Sequence, residues 1–429
     1  MGKRMVILGA AESGVGAAVL AQKKGFDVFV SDMGKIKPHY VDLLDRYGIA
    51  WEDGGHTEEL VLNADEVIKS PGIPEDAPMV LKVKAAGIPI ISEIEFAGRY
   101  THAKMICITG SNGKTTTKEL VSRVLAERFE VYATRGNLNN HIGVPLTLLA
   151  MTRDTQFGVV EMGASACGEI ALLASIAEPN YGILTNIGRA HLEGFGGPEG
   201  VRRGKGELFD YLAANGGRAF VPREDEMLTN MAAERDGLAA EYYSITLAED
   251  LENHLEGHYN RFNIAAAVAV GRYFDVADER IRHAVGSYVP DNNRSQRTET
   301  GRNTLIVDCY NANPSSMRAS VANFLAEPPG MRTRRLLILG DMLELGAWSA
   351  EEHAAVIRLA AQAPQTEVML VGQEFAKARA DMEPQPARIT LFADREHLIA
   401  ALRTHPVDNA LVLIKGSRGI GLEKAVGEL

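Results

Sequence analysis

The chain has 429 residues, 46% of them apolar and 24% charged, with 42 glycines and 17 prolines. That is about three times the usual ~150-residue domain and supplies apolar material for several cores, which excludes a disordered or low-complexity protein. With 45 basic against 56 acidic residues the formal charge is −11, so no nucleic-acid partner is expected and any polyanionic ligand must be gripped locally.

In chain order, Met5 to Leu8 is too short an apolar run for a signal-peptide core and reads as the middle of a first buried strand, Arg4–Leu8. A glycine cluster follows, Gly9-Ala-Ala-Glu-Ser13-Gly14-Val-Gly16, between that strand and a helix, and Asp32 ends the next strand at Val28–Val30. The outline is that of a dinucleotide fold, yet Ala11 stands where the second glycine of G-x-G-x-x-G belongs, so a plain tight turn competes evenly with nucleotide binding. Two loops after strand-like runs, Lys69-Ser70-Pro71-Gly72-Ile73-Pro74 and Ser92-Glu93-Ile94-Glu95, can join Asp32 around one pocket.

A helix ends near Tyr100–Ala103, and a strand, Met105–Thr109, then runs into Gly110-Ser111-Asn112-Gly113-Lys114-Thr115-Thr116-Thr117. A strand, a glycine turn and Lys-Thr opening a helix let backbone N–H groups converge on phosphate oxygens. Lys114 adds a point charge, and a threonine hydroxyl can ligate Mg²⁺. The spacing is the compact G-x-x-G-K-T form, because Ile108 occupies the position of the usual first glycine. Its rival reading is an ordinary strand-to-helix turn with a surface lysine.

Further strands are expected at Val159–Glu161, Gly182–Asn186, Leu305–Asp308, Leu336–Leu339, Val368–Val371 and Leu411–Ile414, with helices at Lys118–Phe129, Phe262–Phe274 and Glu351–Gln362. This alternation is the pattern of α/β domains with largely parallel sheets. A polar segment, Ser295–Arg302, suggests a second boundary. The division expected is 1–102, 103–298 and 299–429. The uncharged stretch Leu138–Thr152 contains Asn139, Asn140, His141 and Pro145 and is shorter than the roughly 18 residues of a span, so no membrane partner is expected. Cys107, Cys167 and Cys309 lie far apart, without metal or disulfide spacing, which fits a reducing cytoplasm.

Together, TGSNGKTTT, Glu161-Met-Gly163, Asn186-Ile-Gly-Arg-Ala-His191-Leu-Glu193, Lys205 and Asn260-x-x-Asn263 resemble the Mur ligases, the ATP-dependent amide-forming enzymes of peptidoglycan precursor synthesis. The resemblance covers essentially the whole chain. It implies a Rossmann-like N-terminal domain for a UDP-muramoyl-peptide, a central P-loop ATPase-type domain, and a Rossmann-like C-terminal domain that presents the amine; a monomer is expected.

Within the family the resemblance changes along the chain. GAAESGVGAA, SDM, ADEVIKSPGIP and ISEIEFAGRY are similar to the branch that adds D-glutamate to UDP-N-acetylmuramoyl-L-alanine. After Thr117, the segments Gly136–Thr147, NIGRAHLEGFGGPEG, Asp308–Pro314, Leu339–Gly346 and Lys415-Gly-Ser-Arg418 are similar to the branch that adds D-alanyl-D-alanine. Since those later domains hold ATP and the amine, D-alanyl-D-alanine addition is the expected reaction, with D-glutamate addition as the alternative.

The resemblance implies ATP and Mg²⁺, with Gly110, Ser111, Asn112, Gly113, Lys114, Thr115 and Thr116 around the phosphates and Asn263, Arg294 or Arg297, and Asp308 as further ATP contacts. Thr115 or Thr116 is implied as a ligand of the nucleotide's Mg²⁺, with Glu161 able to reach the metal, His191 as a ligand of a second Mg²⁺ shared with the acyl phosphate, and Lys205 as a carbamylated metal-organising group; its rival reading is a solvated helix lysine. Ser13, Gly14, Asp32, Ser70, Pro71 and Gly72 are implied at the uridine nucleotide. Tyr310, Asn311, Asn313, Lys415, Ser417 and Arg418 are implied at the amine, with Asp341 and Glu344 undecided between holding its ammonium and organising loops. Two other classes remain: a nucleotide-binding protein whose halves no longer cooperate, and a nicotinamide dehydrogenase resting on Gly9–Gly16 and Asp32 alone.

Overall fold

The structure is a computed structural model and describes residues 2–255, 257, 259–290, 296–327, 330, 332–363, 365–382 and 388–429. Apolar runs such as Met5–Leu8 and Met105–Thr109 are buried on both faces, the condition that lets parallel strands lie between two layers of helices. Three such sheets form, each with its own core.

The first sheet comprises β1 (Arg4–Leu8), β2 (Asp27–Asp32), β3 (Ala50–Asp53), β4 (Glu66–Lys69) and β5 (Ile90–Ser92), in the order β3-β2-β1-β4-β5 and parallel throughout. The second comprises β6 (Lys104–Thr109), β7 (Val131–Ala133), β8 (Phe157–Glu161), β9 (Tyr181–Leu184), β10 (Arg218–Pro222) and β11 (Ala239–Tyr243), in the order β11-β10-β9-β6-β8-β7, again parallel. The third comprises β12 (Gln296–Glu299), β13 (Thr304–Asp308), β14 (Arg334–Gly340), β15 (Thr366–Val371), β16 (Ile389–Phe392) and β17 (Ala410–Lys415), in the order β12-β13-β17-β14-β15-β16.

In each sheet the chain departs to opposite sides of one strand or strand pair: β1 lies between β2 and β4, β6 between β9 and β8, and β17 between β13 and β14. Such switch points leave a crevice beyond the carboxyl ends of the strands, the usual ligand position in open α/β sheets. The chain separates into two compact units, Met1–His102 with Leu148–Arg153, and Ala103–Thr147 with Asp154–Leu429. The second unit holds both later sheets, and Leu192, Phe195 and Val201 of the second-sheet region share a core with Met317, Leu339 and Val356 of the third.

Two expectations shift. The polar segment at 295–302 is in part a strand: β12 runs antiparallel to β13, its outward residues polar as suits a sheet edge. The helix expected from Lys118 begins one turn earlier, at Lys114, because Gly113 takes φ +81° and opens it directly from the loop. Among the described residues no helix is long and apolar enough to cross a membrane.

Candidate active site

In the first unit, the turn after β1 is closed by Asp32, which accepts from the Ala10 N–H at 2.6 Å and the Gly34 N–H at 2.8 Å. A Cβ on Gly14 would stand 2.0 Å from the Gly9 carbonyl oxygen, so only glycine lets the helix Glu12–Lys23 start against this turn. The hydroxyls of Ser13 and Ser70 both donate to Glu93, which is 2% exposed, and the Ile73 N–H closes the Ser70-Pro71-Gly72 turn on the Ser70 carbonyl at 3.0 Å. Ser13, Gly14, Asp32 and Ser70 thus gather at the β1 switch point, with Pro71 and Gly72 on the adjoining turn. Glu93 is the residue that binds two of them together.

In the second unit a cleft of about 980 Å³ lies beyond the ends of the second and third sheets. Its floor is the loop 110–116. The loop is clamped from β9: Asn186 Oδ1 accepts from the Asn112 N–H at 3.1 Å, the Asn186 and Thr185 side chains donate to the Asn112 carbonyl, and Ser111 Oγ accepts from the Gly188 N–H at 2.8 Å. Gly110 takes φ +137°, and a Cβ there would lie 2.0 Å from Thr185 Oγ1. Lys114 folds back over the loop, donating to the Gly110 carbonyl at 2.7 Å. Asn263 sits beneath Gly113, tied to Thr117 and Asn260, and so braces the loop as well as lining the cleft.

Thr115 Oγ1 and Glu161 Oε2 are both buried with no hydrogen-bond partner among the described residues, although Glu161 Oε1 accepts from Asn139 at 2.7 Å. A buried hydroxyl and carboxylate oxygen left without partners beside a phosphate loop fit a divalent cation. Mg²⁺ takes one or two carboxylates and completes its shell with substrate phosphates and water, a demand that Glu161 and the Thr115 hydroxyl fit.

Lys205, on the helix Pro198–Ala214, is 1% exposed and donates to the Ala164 carbonyl at 2.9 Å. Burial, with the Lys114 charge second, holds its amine well below the usual lysine range, which removes the solvated-lysine reading. His191 takes φ +52° in the loop after β9. Burial lowers its pKa despite the opposing pull of Glu344.

The opposite wall of the cleft belongs to the third sheet. Lys415 does not face a ligand as a free cation: it is 1% exposed and pairs with Asp308 at 2.5 Å, and Asp308 also accepts from Ser320. The exposed guanidinium of Arg418 lies 5.6 Å from the Tyr310 ring centre. Ser417 accepts from the Leu343 N–H and donates to the Ala312 carbonyl. Asn311 accepts from the Ala312 N–H. Asn313 caps the helix Pro314–Ala326, and its amide donates to Asn112 Oδ1 at 2.8 Å, so it joins the third sheet to the phosphate loop. Asp341 has both oxygens on the Glu374 and Phe375 N–H groups and therefore organises a loop, whereas Glu344 faces the cleft and pairs with His191. Arg297 turns to Glu327 at 2.8 Å, and Arg294 lies outside the described residues.

Sequence reading passed over Asn139 at Glu161, and Glu352, which is 1% exposed and holds both Arg189 and Arg318. Each depends on residues distant in sequence meeting in space, and no local motif announces it.

A phosphate grip with a cation position beside it, facing a wall that carries both a guanidinium and a carboxylate, defines a nucleotide-driven enzyme that accepts a second polar substrate. The Mur ligase middle domain matches residues 108–254, the Mur ligase glutamate ligase domain residues 293–418, and the MurD N-terminal domain residues 5–79. The chain belongs to the Mur ligase family, and it is an ATP-dependent, ADP-forming carbon–nitrogen ligase of peptidoglycan precursor synthesis. It is 37% identical over 388 residues to a UDP-N-acetylmuramoylalanine–D-glutamate ligase of Bacteroides thetaiotaomicron, covering 83% of this chain and 84% of that one. It is 31% identical over 348 residues to a UDP-N-acetylmuramoyl-tripeptide–D-alanyl-D-alanine ligase of Bacillus subtilis, covering 76% of each. A crystal structure of MurF from Acinetobacter baumannii superposes with a TM-score of 0.70 at 26% identity, covering 99% of this chain and 93% of that one.

Proposed function

We propose that the enzyme adds D-alanyl-D-alanine to a UDP-N-acetylmuramoyl-peptide, with the division of labour at 1–102, 103–298 and 299–429. The observation that carries this reading is the charge of the amine wall. On the third-sheet wall Lys415 is consumed by Asp308, so among the described residues Arg418 is the cation that wall offers, and Leu343 beside it is 43% exposed. One guanidinium with an exposed leucine beside it suits an amine with a single carboxylate and methyl side chains; D-glutamate brings a second carboxylate, whose burial without a partner cation is costly.

The acceptor's terminal carboxylate attacks the γ-phosphorus of ATP, giving an acyl phosphate and ADP. The amine nitrogen then attacks the acyl carbon, phosphate leaves, and the amine sheds a proton. Charge builds on neighbouring oxygens in both steps, so positioning and fixed cations supply most of the acceleration. Lys114 neutralises the β- and γ-phosphates, and the N–H groups of 110–116 orient them. Thr115 and Glu161 are the residues that would hold Mg²⁺, which when bound neutralises phosphate oxygens. His191 would ligate a second Mg²⁺ shared with the acyl phosphate, and Lys205, whose amine burial holds below the usual lysine range, would serve as the carbamate.

D-Glutamate addition is the second reading, favoured by the MurD N-terminal match over residues 5–79 and by the Bacteroides relative. A crossed assay pairs each acceptor, UDP-N-acetylmuramoyl-L-alanine and UDP-N-acetylmuramoyl-tripeptide, with each amine and follows ADP release. Turnover dependent on D-alanyl-D-alanine is expected; turnover with D-glutamate alone rejects the proposal, and nucleotide binding without ADP release under any pair supports the non-catalytic alternative.

A further inference from the structure

Glu344 is held in place from several sides. It takes φ +62°, a left-handed conformation that is strained for a side chain of its size, as does its partner His191 at φ +52°. The two neighbours on its N-terminal side are pinned: the Met342 N–H donates to His353 Nε2 at 3.0 Å, and the Leu343 N–H to Ser417 Oγ at 3.0 Å. The Glu344 carbonyl accepts from the Glu193 N–H at 3.3 Å, so the loop from the third sheet is docked on the loop that carries His191. The carboxylate meets His191 at Nδ1. A carboxylate only accepts here, so Nδ1 carries the hydrogen, and whenever the ring is neutral its lone pair resides on Nε2.

We infer that Glu344 is a positioning residue which fixes His191 in the Nδ1–H tautomer, so that the third-sheet loop completes the cation site of the second sheet. The inference rests on His191 being a cation ligand. Metal-binding histidines commonly donate their other N–H to a carboxylate, and losing that partner costs about 10- to 100-fold in metal affinity. The distinctive feature is the origin of the partner: it comes from the wall that receives the amine, so assembling the amine wall and completing the cation site become one event.

The test uses the full chain with Mn²⁺ and ADP as probes, Mn²⁺ affinity read by electron paramagnetic resonance and the His191 tautomer by ¹⁵N-histidine NMR, with H191A assigning the signal. Expected are an Nδ1–H signal in the parent, a shift to the Nε2–H tautomer in E344A, and its return in E344Q, whose amide oxygen still accepts. E344A weakens Mn²⁺ binding about 10- to 100-fold, and H191A with E344A is no weaker than H191A alone. An E344A variant that keeps the tautomer and Mn²⁺ affinity while raising KM for the amine overturns the inference, since Glu344 then only receives the ammonium. Mn²⁺ binding indifferent to H191A also overturns it, and that result separately rejects His191 as a ligand. Glu344 has a 62% exposed side chain, and ADP binding without Mn²⁺ reports whether each variant is folded.

Discussion

Lys114 is tied into the folded loop at the point where the proposed reaction needs a cation. Its ammonium rests on the Gly110 and Ser111 carbonyls, at 2.7 and 3.3 Å, which holds it over the loop at the entrance of the helix Lys114–Ala126. Helix N-termini already favour anions through their unpaired N–H groups, so the lysine adds charge to a site whose geometry the backbone supplies. Lys114→Ala therefore leaves the fold intact and lowers ADP formation by at least about 100-fold, while uridine nucleotide binding persists. A coupled ADP assay beside direct binding of the uridine nucleotide measures both, and retained turnover removes Lys114 from its role. At this scale the sequence was readable: Gly-Lys-Thr after an apolar strand identifies the grip, because the chemistry needs those residue types at adjacent positions.

At the scale of elements, the helix Pro314–Ala326 begins with a capping box in which Asn313 Oδ1 accepts from the Ser316 N–H and Ser316 Oγ accepts from the Asn313 N–H. The free amide end of Asn313 reaches Asn112. The two functions separate by substitution: Asn313→Ser keeps an N-cap but is too short to reach Asn112, whereas Asn313→Ala loses both. Serine is expected to leave thermal stability nearly unchanged and weaken ATP binding up to about tenfold. Alanine should cost about 1 kcal/mol of stability in addition. Calorimetric melting and ATP titration distinguish them, and equal ATP affinity in both variants and the parent defeats the assignment. The resemblance implies Asn313 at the junction between ATP and amine, and Asn before Pro also signals a turn, but neither tells which partner lies across the cleft. Buried strands and long helices were legible for a different reason: burial on both faces leaves uninterrupted apolar runs. Short or polar edge strands such as β7, β12 and β16 owe their pairing to a neighbour and carry little local signal.

For the molecule as a whole, pH is the variable that buried bases respond to together. His353 is fully buried, accepting from the Met342 N–H through Nε2 and contacting the Ser349 carbonyl through Nδ1 at 2.7 Å, and burial holds its pKa below the ordinary value. His56 and His191 are lowered in the same sense, also chiefly by burial. The unfolded chain then binds protons more readily than the folded one, so stability is complete above about pH 6.5 and declines as pH falls below it. Thermal midpoints measured on either side of that value should drop on the acid side, and His353→Gln should flatten the slope whatever it does to the midpoint itself; an unchanged slope refutes the account. The net charge of −11 had required any polyanion to be held locally, and the cleft does so by concentrating cationic and N–H groups at one floor. What composition did not foretell is that the third-sheet wall of the cleft spends Lys415 internally, on Asp308. The unpartnered oxygens of Thr115 and Glu161 have a consequence for the folding landscape. Natural sequences are minimally frustrated, with local choices that agree with the global fold. These two positions disagree with it, each at a desolvation cost of about 1–3 kcal/mol. A bound cation would relieve the frustration, so ligand binding should tighten this region of the native basin.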